Sequence, residues 1–434
     1  MKSNFQTILL AVFLAFFVFA VIVFSGLLPI GKKTNNTKLV GTVTMWGTVP
    51  AIDFAKAIED ANSKNPSLVV KYYQKDIKTY STAIVDGIAS GTGPDLFMVP
   101  DDLILKEQKF ITPIPYASYA EKTFRDTFID GAEVYLGEKG IIALPITVDP
   151  LVLYYNKDLL ANNGISQPPV YWDELLALND TLTKSASDGT IGQSMIALGT
   201  YDNINHAKDI LSLLMIQSGN PIVSKDGEKR VSVLGESLGQ SKIPGEAVLD
   251  FYSQFSNPTS TLYSWNRGLL NSKDAFTGGS LAFYVGRGSE LFNIEAVNPN
   301  LSFDVATVLQ TKGTNVRRTF GSMNAIAVSK TAKDPVLATS TAILFTDPEI
   351  SKTIATSFSL PPARRDLLAD RPTDPYLTVF YNSAISGRTW LDPDTNLTDA
   401  IFRNMIQNIL SNKLDIADAL SKAQAELAQL LYAN

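Results

Sequence analysis

The sequence predicts an α/β protein with two lobes, and three features carry that prediction. A chain of 434 residues is too long for one ordinary hydrophobic core and long enough for two. Short apolar, β-branched runs alternate with segments of helical spacing, as in a parallel, doubly wound sheet. Between two apolar strands, Pro145 and Pro150 flank a connector in residues 145–151. Because proline lacks a backbone donor, this connector suits a crossing between lobes better than the middle of a sheet.

The amino-terminal part of the body shows the alternation most clearly. Strands are predicted at residues 39–46, 68–73 and 95–99. The segments between them carry apolar residues three or four positions apart, namely Phe54, Ile58, Ala61, Tyr80, Ile84 and Ile88. Ligands of such sheets bind outside the carboxyl ends of the strands. Those ends bring Trp46 and Gly47 beside Asp101 and Asp102.

The rest of the body mixes both kinds of element. Helices are predicted at residues 173–182, 207–217, 246–255, 399–410 and 415–431, and strands at 280–288, 303–309 and 325–330.

Composition and charge exclude several classes of function. The net charge of −6 and pI of about 5.1 argue against a nucleic-acid partner, since no basic excess is present to neutralise phosphates. The chain has no cysteine and one histidine, His206, which we interpret as a helix-start or surface residue. A zinc centre or a Ser-His-Asp triad is therefore disfavoured. We expect no metal and no cofactor.

An apolar segment precedes the body. Residues 8–30 carry no charge, and as a helix they would span about 34 Å, enough for a bilayer core. We expect an uncleaved transmembrane anchor, with a signal segment as the alternative, followed by a linker at 31–38. Lysines at 32, 33 and 38 would place the body in the cytoplasm by the positive-inside rule. Because long domains translocate largely regardless of local charge, we expect the body outside the cytoplasm.

Several motifs, in a fixed order, carry a family resemblance. Residues 141–178 read as a strand, Leu-Pro, an acidic residue, a strand ending YYNKDLL, a glycine, two prolines and WDEL. Further segments are PDLFMVPDDL at 94–103, AFTGGSLAFYVGRG at 275–288, residues 320–352, FSLPPARRD at 358–366 and the tail LDIADALSKAQAELAQLL. Together they resemble the maltose-binding-protein-like extracellular solute-binding proteins of family 1. Tyr171 departs from the pattern, because family members usually have Thr or Ser there to cap the helix.

The resemblance implies a type II periplasmic-binding fold with three crossings between lobes. We place them near residues 145–151, 302–307 and 355–360. The first lobe would comprise 39–147 plus 304–352, and the second 151–300 plus 361–434. A monomer of this kind would be the tethered solute-binding subunit of an ABC importer, partnered by permease subunits. It would hold a carbohydrate in the cleft by hinge closure, without catalysing a reaction.

Three tryptophans are candidate ligand contacts. Trp46 follows the first strand and could stack on a sugar ring, although it could equally cap the lobe's core. Trp265 and Trp390 lie in turn-rich sequence, where functional side chains are common. Either could also simply cover a helix.

Polar candidates lie at the predicted strand ends and crossings. Asp149 lies on the first crossing, where its carboxylate could accept two hydroxyls or bond a local turn. Asp101 could face the cleft or cap a helix, and Arg287, between glycines, could hold a diol or form an ion pair between lobes. Gly47, Met323 and Asn324 complete the predicted cleft residues.

Two other functions remain open at this point. A glycoside hydrolase needs only two suitably spaced carboxylates, and acids are plentiful here. A carbohydrate-sensing surface receptor or adhesin could use the same two-lobed scaffold without transport. Sugar is the favoured ligand, with a peptide, a polyamine or a phosphorylated polyol as alternatives.

Overall fold

The computed structural model describes residues 38–227, 229–314 and 316–433. The predicted membrane segment 8–30, and all of the linker 31–38 except its last residue, lie outside this part. Within it, no helix has both the length and the apolar character needed to cross a bilayer.

Strands and helices alternate along the described residues. The strands are β1 (Gly41–Gly47), β2 (Leu68–Gln74), β3 (Leu96–Pro100), β4 (Leu136–Gly137), β5 (Gly140–Ile141), β6 (Leu144–Asn156), β7 (Lys184–Ser185), β8 (Ile191–Ile196), β9 (Val223–Asp226), β10 (Lys229–Ser232), β11 (Leu281–Arg287), β12 (Phe303–Thr307), β13 (Thr319–Val328) and β14 (Gly387–Arg388). The α-helices are α1 (Ala51–Lys64), α2 (Tyr80–Ala89), α3 (Ile104–Glu107), α4 (Glu121–Thr127), α5 (Lys157–Asn162), α6 (Trp172–Leu176), α7 (Asn179–Leu182), α8 (Ala207–Gln217), α9 (Pro244–Gln254), α10 (Ser272–Thr277), α11 (Leu291–Val297), α12 (Pro335–Leu344), α13 (Pro348–Phe358), α14 (Arg365–Leu368), α15 (Pro375–Ile385), α16 (Thr395–Leu410) and α17 (Ile416–Ala433).

The main sheet runs β2-β1-β3-β13-β6-β11-β8-β7, with β12 also paired to β6 and β14 to β13. Strand β1 pairs in parallel with both β2 and β3, which confirms the predicted parallel arrangement at the amino terminus. Helix α1 buries Phe54, Ala57 and Ala61. The ring of Phe54 lies 5.0 Å from that of Tyr72 on β2 and 5.3 Å from that of Phe345 after α12. This packing fixes the strands whose carboxyl ends face the candidate site.

Strand β6 belongs to two half-sheets. Residues Leu144 to Pro150 pair with β13, whereas Leu151 to Asn156 pair with β11 and β12. We call the part built on β1, β2, β3 and β13 the first half-sheet, and the part built on β8, β11 and β12 the second. The change of partner coincides with the predicted crossing at 145–151.

The expectation that this crossing lies outside the sheet was wrong. Pro145 and Pro150 are both paired within β6, opposite Ala325 and Gly321 of β13. The ladder shifts register between Asn324 and Ala325, next to the position of Pro145. Such an irregularity lets a sheet accommodate a residue without a backbone donor.

The second and third crossings differ in how they lie against β6. Strand β12, predicted to cross between lobes, instead pairs with Val152 to Asn156 and so lies in the second half-sheet. The chain returns to the first half-sheet only in β13. After α13, whose C-cap Ser359 has a positive φ of 51°, the Pro361 carbonyl accepts a 2.9 Å hydrogen bond from the Val148 amide. This third connection therefore lies directly beside the first.

The helices predicted after β6 are present with shifted ends. Helix α8 matches residues 207–217, and α9, α16 and α17 lie within a few residues of their predicted bounds. The predicted helix at 173–182 is divided into α6 and α7. Where Tyr171 replaces the usual capping hydroxyl, the Glu174 carboxylate accepts from the Val170 and Tyr171 amides at 2.9 and 3.2 Å. The helix start is thus capped from within its own first turn.

Candidate functional site

Charged side chains gather where the two half-sheets meet, and Asp101 is at their centre. It follows β3 and is only 2% exposed. Its carboxylate accepts hydrogen bonds from Ser322 Oγ at 2.7 Å, from the Met323 amide at 3.2 Å and from the Thr389 hydroxyl. Burial and the neighbouring Asp102 raise the pKa of Asp101 to about 7. Burial therefore disfavours the charged form of Asp101, and the hydrogen bonds from Thr389 and Ser322 oppose that effect.

Asp102 follows Asp101 directly in the chain, on the same turn after β3. Burial raises its pKa, and the positive charges of Lys208 and Arg287 oppose that rise. Thr395, at the start of α16, also opposes the rise in the pKa of Asp102. Two adjacent carboxyl groups at the end of β3 thus lie within electrostatic reach of Arg287.

Arg287, the last residue of β11, is the central cation. Its Nε and Nη2 donate to Asp209 Oδ2 at 3.1 and 2.7 Å. Burial disfavours the charged form of Asp209, but Arg287 and His206 hold its pKa below the usual value. Asp209 itself raises the pKa of Arg287. The ion pair therefore joins the first turn of α8 to the end of β11.

Asp149, on β6 at the crossing, bonds to the loop after β11. Its carboxylate accepts from the Ser289 amide at 3.0 Å and from Ser289 Oγ at 2.6 Å. Burial raises the pKa of Asp149, and the charge of Arg287 opposes that rise. The predicted residues Asp101, Asp149 and Arg287 thus belong to one electrostatic cluster.

His206 lies at the N-cap of α8 in a left-handed conformation, with φ of 58°. Its Nε2 is 3.0 Å from Glu290 Oε2, and the same carboxylate oxygen accepts from the Tyr284 hydroxyl at 2.8 Å. Burial works against ionisation of Glu290, but its contacts, led by the hydrogen bond with His206, lower its pKa to about 2. Lys273 adds an ion pair at 3.3 Å.

A polar cavity of about 620 Å³ adjoins this cluster on the side of the second half-sheet. Lys208 and Asp209 of α8 belong to both. The cavity is also lined by Tyr201, Asp202 and Thr395, and by Asp399 and Arg403 on α16. Its volume lies within the usual range for small-molecule sites.

Sequence analysis missed the part of this wall that comes from residues 201–202 and α16. The i, i+4 spacing of Asp399 and Arg403 was visible, and they pair at 2.5 Å. That spacing is common on solvent-exposed helix faces, so it could not single out a binding surface.

Residues 389–395, which we call the connecting segment, tie the first half-sheet to this region. Thr389 donates to Asp101. Asp394 pairs with Lys106 of α3 at 3.0 Å. Both contacts reach structure that follows β3.

The connecting segment also forms a hydrogen bond and an ion pair with α8. Trp390 Nε1 donates to Ser212 Oγ at 3.1 Å. Asp392 pairs with Lys208 at 2.7 Å, where both side chains are largely buried. Residues of one short segment therefore contact both sides of the joint.

The predicted tryptophans do not line the polar cavity. The ring of Trp46 lies against α2, since a Cβ added at Gly87 would come within 2.6 Å of it. The Lys75 ammonium lies 3.9 Å from the ring centroid. Trp265 is 1% exposed within the hydrophobic core that includes the second half-sheet. Trp390 stacks on Phe402 with ring centroids 6.3 Å apart. This packing speaks against the predicted stacking roles of Trp265 and Trp390.

The remaining predicted residues lie on the first half-sheet. Gly47 is buried, with the Tyr72 hydroxyl and the Met98 side chain occupying the space beside it. The Met323 side chain is 1% exposed, and this residue meets Asp101 through its backbone. Asn324 is half-buried, opposite Pro100 and Thr147 in the sheet. Only Asn324 of these three has a side chain open to a ligand.

Among the described residues, no cluster of three His, Cys, Asp or Glu side chains has the geometry to hold a metal ion.

Comparison with known proteins connects this architecture to binding proteins. The galactooligosaccharide-binding protein of Bacillus subtilis (strain 168) is 24% identical over 386 residues, covering 87% of this chain and 85% of that protein. The cyclic α-maltosyl-1,6-maltose binding protein from Arthrobacter globiformis superposes with a TM-score of 0.74 at 16% identity, covering 91% of this chain and 100% of that one. The extracellular solute-binding protein from Staphylococcus aureus in complex with maltose gives 0.70 at 16%, covering 90% and 98%.

These structural likenesses show a shared two-lobed α/β fold, which confirms the predicted fold of the body. These solved structures, and the family whose model matches this chain, are of binding proteins and not of enzymes. The family model of the bacterial extracellular solute-binding proteins matches residues 56–377, which is most of the chain. The chain therefore belongs to the bacterial extracellular solute-binding protein family.

Proposed function

We propose that this protein is the membrane-tethered solute-binding subunit of an ABC importer and captures a carbohydrate between its two lobes. The cluster of carboxylates and cations at the joint of the half-sheets carries the proposal. Asp101 and Asp102 approach from one side, and Arg287, Asp209 and Lys208 from the other. Groups of this kind hydrogen-bond neutral hydroxyls from two directions.

The strand pairing supports a revised division into lobes. The first lobe comprises residues 39–147 plus 319–364, and the second 151–318 plus 365–434, since Pro362 and Arg364 bridge to Thr147 and Phe128. The first boundary lies where β6 changes partner, and the second is moved from 304 because β12 pairs with the far half of β6. Strands β6 and β13, with the connection after α13, form the hinge.

Closure is stabilised by contacts made to both lobes at once. The Lys106–Asp394 ion pair and the bond from Thr389 to Asp101 are such contacts within the protein. A ligand bonded to the polar cavity and to the carboxylates after β3 adds more of them, and so shifts the population toward the closed form.

Export and tethering rest on the sequence and the family. The family model describes extracellular proteins, and the apolar segment 8–30 is long enough for an anchor. A protein without cysteine needs some tether other than a lipidated thiol. Transport requires a permease that recognises the closed lobes. The names of the similar proteins, which bind galactooligosaccharide and maltose, support a carbohydrate ligand.

The test is ligand-dependent thermal stabilisation of the purified full chain, in a detergent without a sugar headgroup. Sugars, polyols, amino acids and peptides would each be titrated. Stabilisation should rise with the logarithm of ligand excess over Kd, for carbohydrates only. The recovered ligand should be chemically unchanged. A shift confined to peptides or amino acids, or conversion of the sugar to product, would refute the proposal.

A further inference from the structure

We infer that the ligand is a compact neutral polyhydroxylated molecule of one or two sugar rings, with Arg403 as a specificity-determining contact. The inference rests on the proposed function and narrows it. It excludes a long oligosaccharide held by stacking on tryptophan rings. The observations that carry it are the placement of the aromatic rings, the construction of the cavity wall and the pairing of its charges.

The faces of the tryptophan rings already pack against other groups of the protein. All four tryptophans of the sequence lie in the described part of the chain. Trp46 lies between α2 and the Lys75 ammonium, whereas Trp172, Trp265 and Trp390 are buried. A long oligosaccharide gains much of its affinity from successive rings stacked on such faces. These four side chains do not offer that succession.

Tyr201 is the aromatic residue that lines the cavity, and its polar and apolar surfaces are both occupied. It is 5% exposed, and its hydroxyl donates to Asp399 Oδ1 at 2.7 Å. The Arg403 guanidinium lies 5.4 Å from its ring centroid. The ring therefore supports Arg403, and the guanidinium rather than the ring is presented to a ligand.

Arg403 is held in place with donors to spare. Its Nε lies 3.0 Å from Asp202 Oδ1, and its Nη2 lies 2.5 Å from Asp399 Oδ2. Asp202 is itself fixed by Gln407 Nε2 at 2.8 Å. Among the described residues, Nη1 has no partner, and the side chain is 41% exposed. A fixed planar fork with free N–H groups suits the paired oxygens of a vicinal diol.

The charges around the cavity favour a ligand without net charge. Arg403 is paired with two carboxylates, and Lys208 is paired with Asp392. An ionic ligand that displaced Lys208 from Asp392 would leave a largely buried charge unpaired, and one that displaced a carboxylate from Arg403 would break a more exposed pair. A neutral polyol can instead donate to the carboxylates and accept from Arg403 while every pair persists. This arrangement distinguishes polyols from sugar acids, amino sugars and phosphates.

The experiment is calorimetric titration of the full chain with glucose, galactose, maltose, maltotetraose, maltohexaose and sorbitol, with glucuronate and glucosamine as charged counterparts. The best ligand should have one or two rings. Affinity should change less than about threefold from the disaccharide to the hexasaccharide, and the charged counterparts should bind at least tenfold more weakly. A gain of more than tenfold with chain length, or tighter binding of a charged analogue, would overturn the inference while leaving the proposed function intact. No binding of any carbohydrate would overturn both.

A matched pair of variants tests the role of Arg403. Arg403→Lys keeps the charge and loses the fork, and it should weaken the best sugar by about 10- to 100-fold, as expected for charge-assisted hydrogen bonds. Arg125→Lys is the control, because Arg125 is also paired with two carboxylates and is 42% exposed, but lies on α4 outside the site. The control should bind with unchanged Kd. Unliganded melting curves check that both variants fold. Equal Kd values for Arg403→Lys and the control would refute the assignment.

Discussion

Removing the cation from the charged cluster should destabilise the protein in a way that depends on pH. In Arg287→Met, the Asp209 carboxylate loses two hydrogen bonds of 3.1 and 2.7 Å, although its side chain is only 9% exposed. Removing one partner of a buried pair costs about 3–5 kcal/mol. Because Arg287 is 29% exposed, we expect the lower end, about 3 kcal/mol at pH 7.

The sign of the pH dependence follows from the pKa of Asp209. In the native protein this pKa is lowered, so its stabilising contribution is present above the unfolded value and is lost as the pH falls through the folded value. Without Arg287, burial instead raises the pKa of Asp209, and the carboxyl can take up a proton. The deficit of the variant should therefore shrink between pH 7 and pH 4.5.

Urea unfolding of the wild type, both single variants and the double variant measures this directly. Asp209→Asn is the second single variant, and Arg287→Met with Asp209→Asn completes a double-mutant cycle. We expect a coupling free energy above about 1 kcal/mol for groups in direct contact. A loss below about 1 kcal/mol at pH 7, or additive single effects, would show that the pair does not hold the site together.

Three further predictions concern the pH response, a close contact and the location of the body. The raised pKa of Asp101, about 7, means that the folded form keeps a proton that the unfolded chain releases, so stability should fall as pH rises from about 4 to 7. Asp101→Asn should flatten that slope in chemical unfolding at pH 5 and 7.5, and an unchanged slope would assign it to other groups. Gly87→Ala should lower the free energy of unfolding by about 1–3 kcal/mol, because the added Cβ would lie 2.6 Å from the Trp46 ring. Thermal unfolding tests this, with Gly91→Ala as the control, because a Cβ at Gly91 has no neighbour within 4 Å. The backbone strain of the control, at a positive φ of 70°, is subtracted. Protease added to cells that retain only the cytoplasmic membrane should degrade the body, whereas a protected body would place it in the cytoplasm.

The first three strands were predicted correctly from the sequence because they depend on local chemistry. The alternation through β1, α1, β2, α2 and β3 is visible as a change of apolar period along the chain. The path of β6 was harder to foresee. Two prolines argue locally against a sheet interior, but partner exchange and the register shift at Asn324 and Ala325 accommodate them.

The candidate site was only partly predictable from sequence. Asp101, Asp149 and Arg287 follow or lie on apolar strands, so strand ends pointed to them. Tyr201 and Arg403 are about two hundred positions apart in the chain but in contact in the structure. Nothing in the sequence around either residue distinguishes it from an ordinary surface residue. The turn-rich sequence around Trp265 and Trp390 did not reveal that their rings are buried.

Closure of two lobes around a ligand is the central claim, and the absence of cysteine allows it to be measured cleanly. Spin labels at Lys78→Cys and Arg267→Cys, exposed positions on the first and second lobes, report the distance between the lobes. Pulsed dipolar spectroscopy should give a shorter and narrower distance distribution once a saturating sugar ligand is added. An identical distribution with and without a ligand that binds would contradict hinge closure.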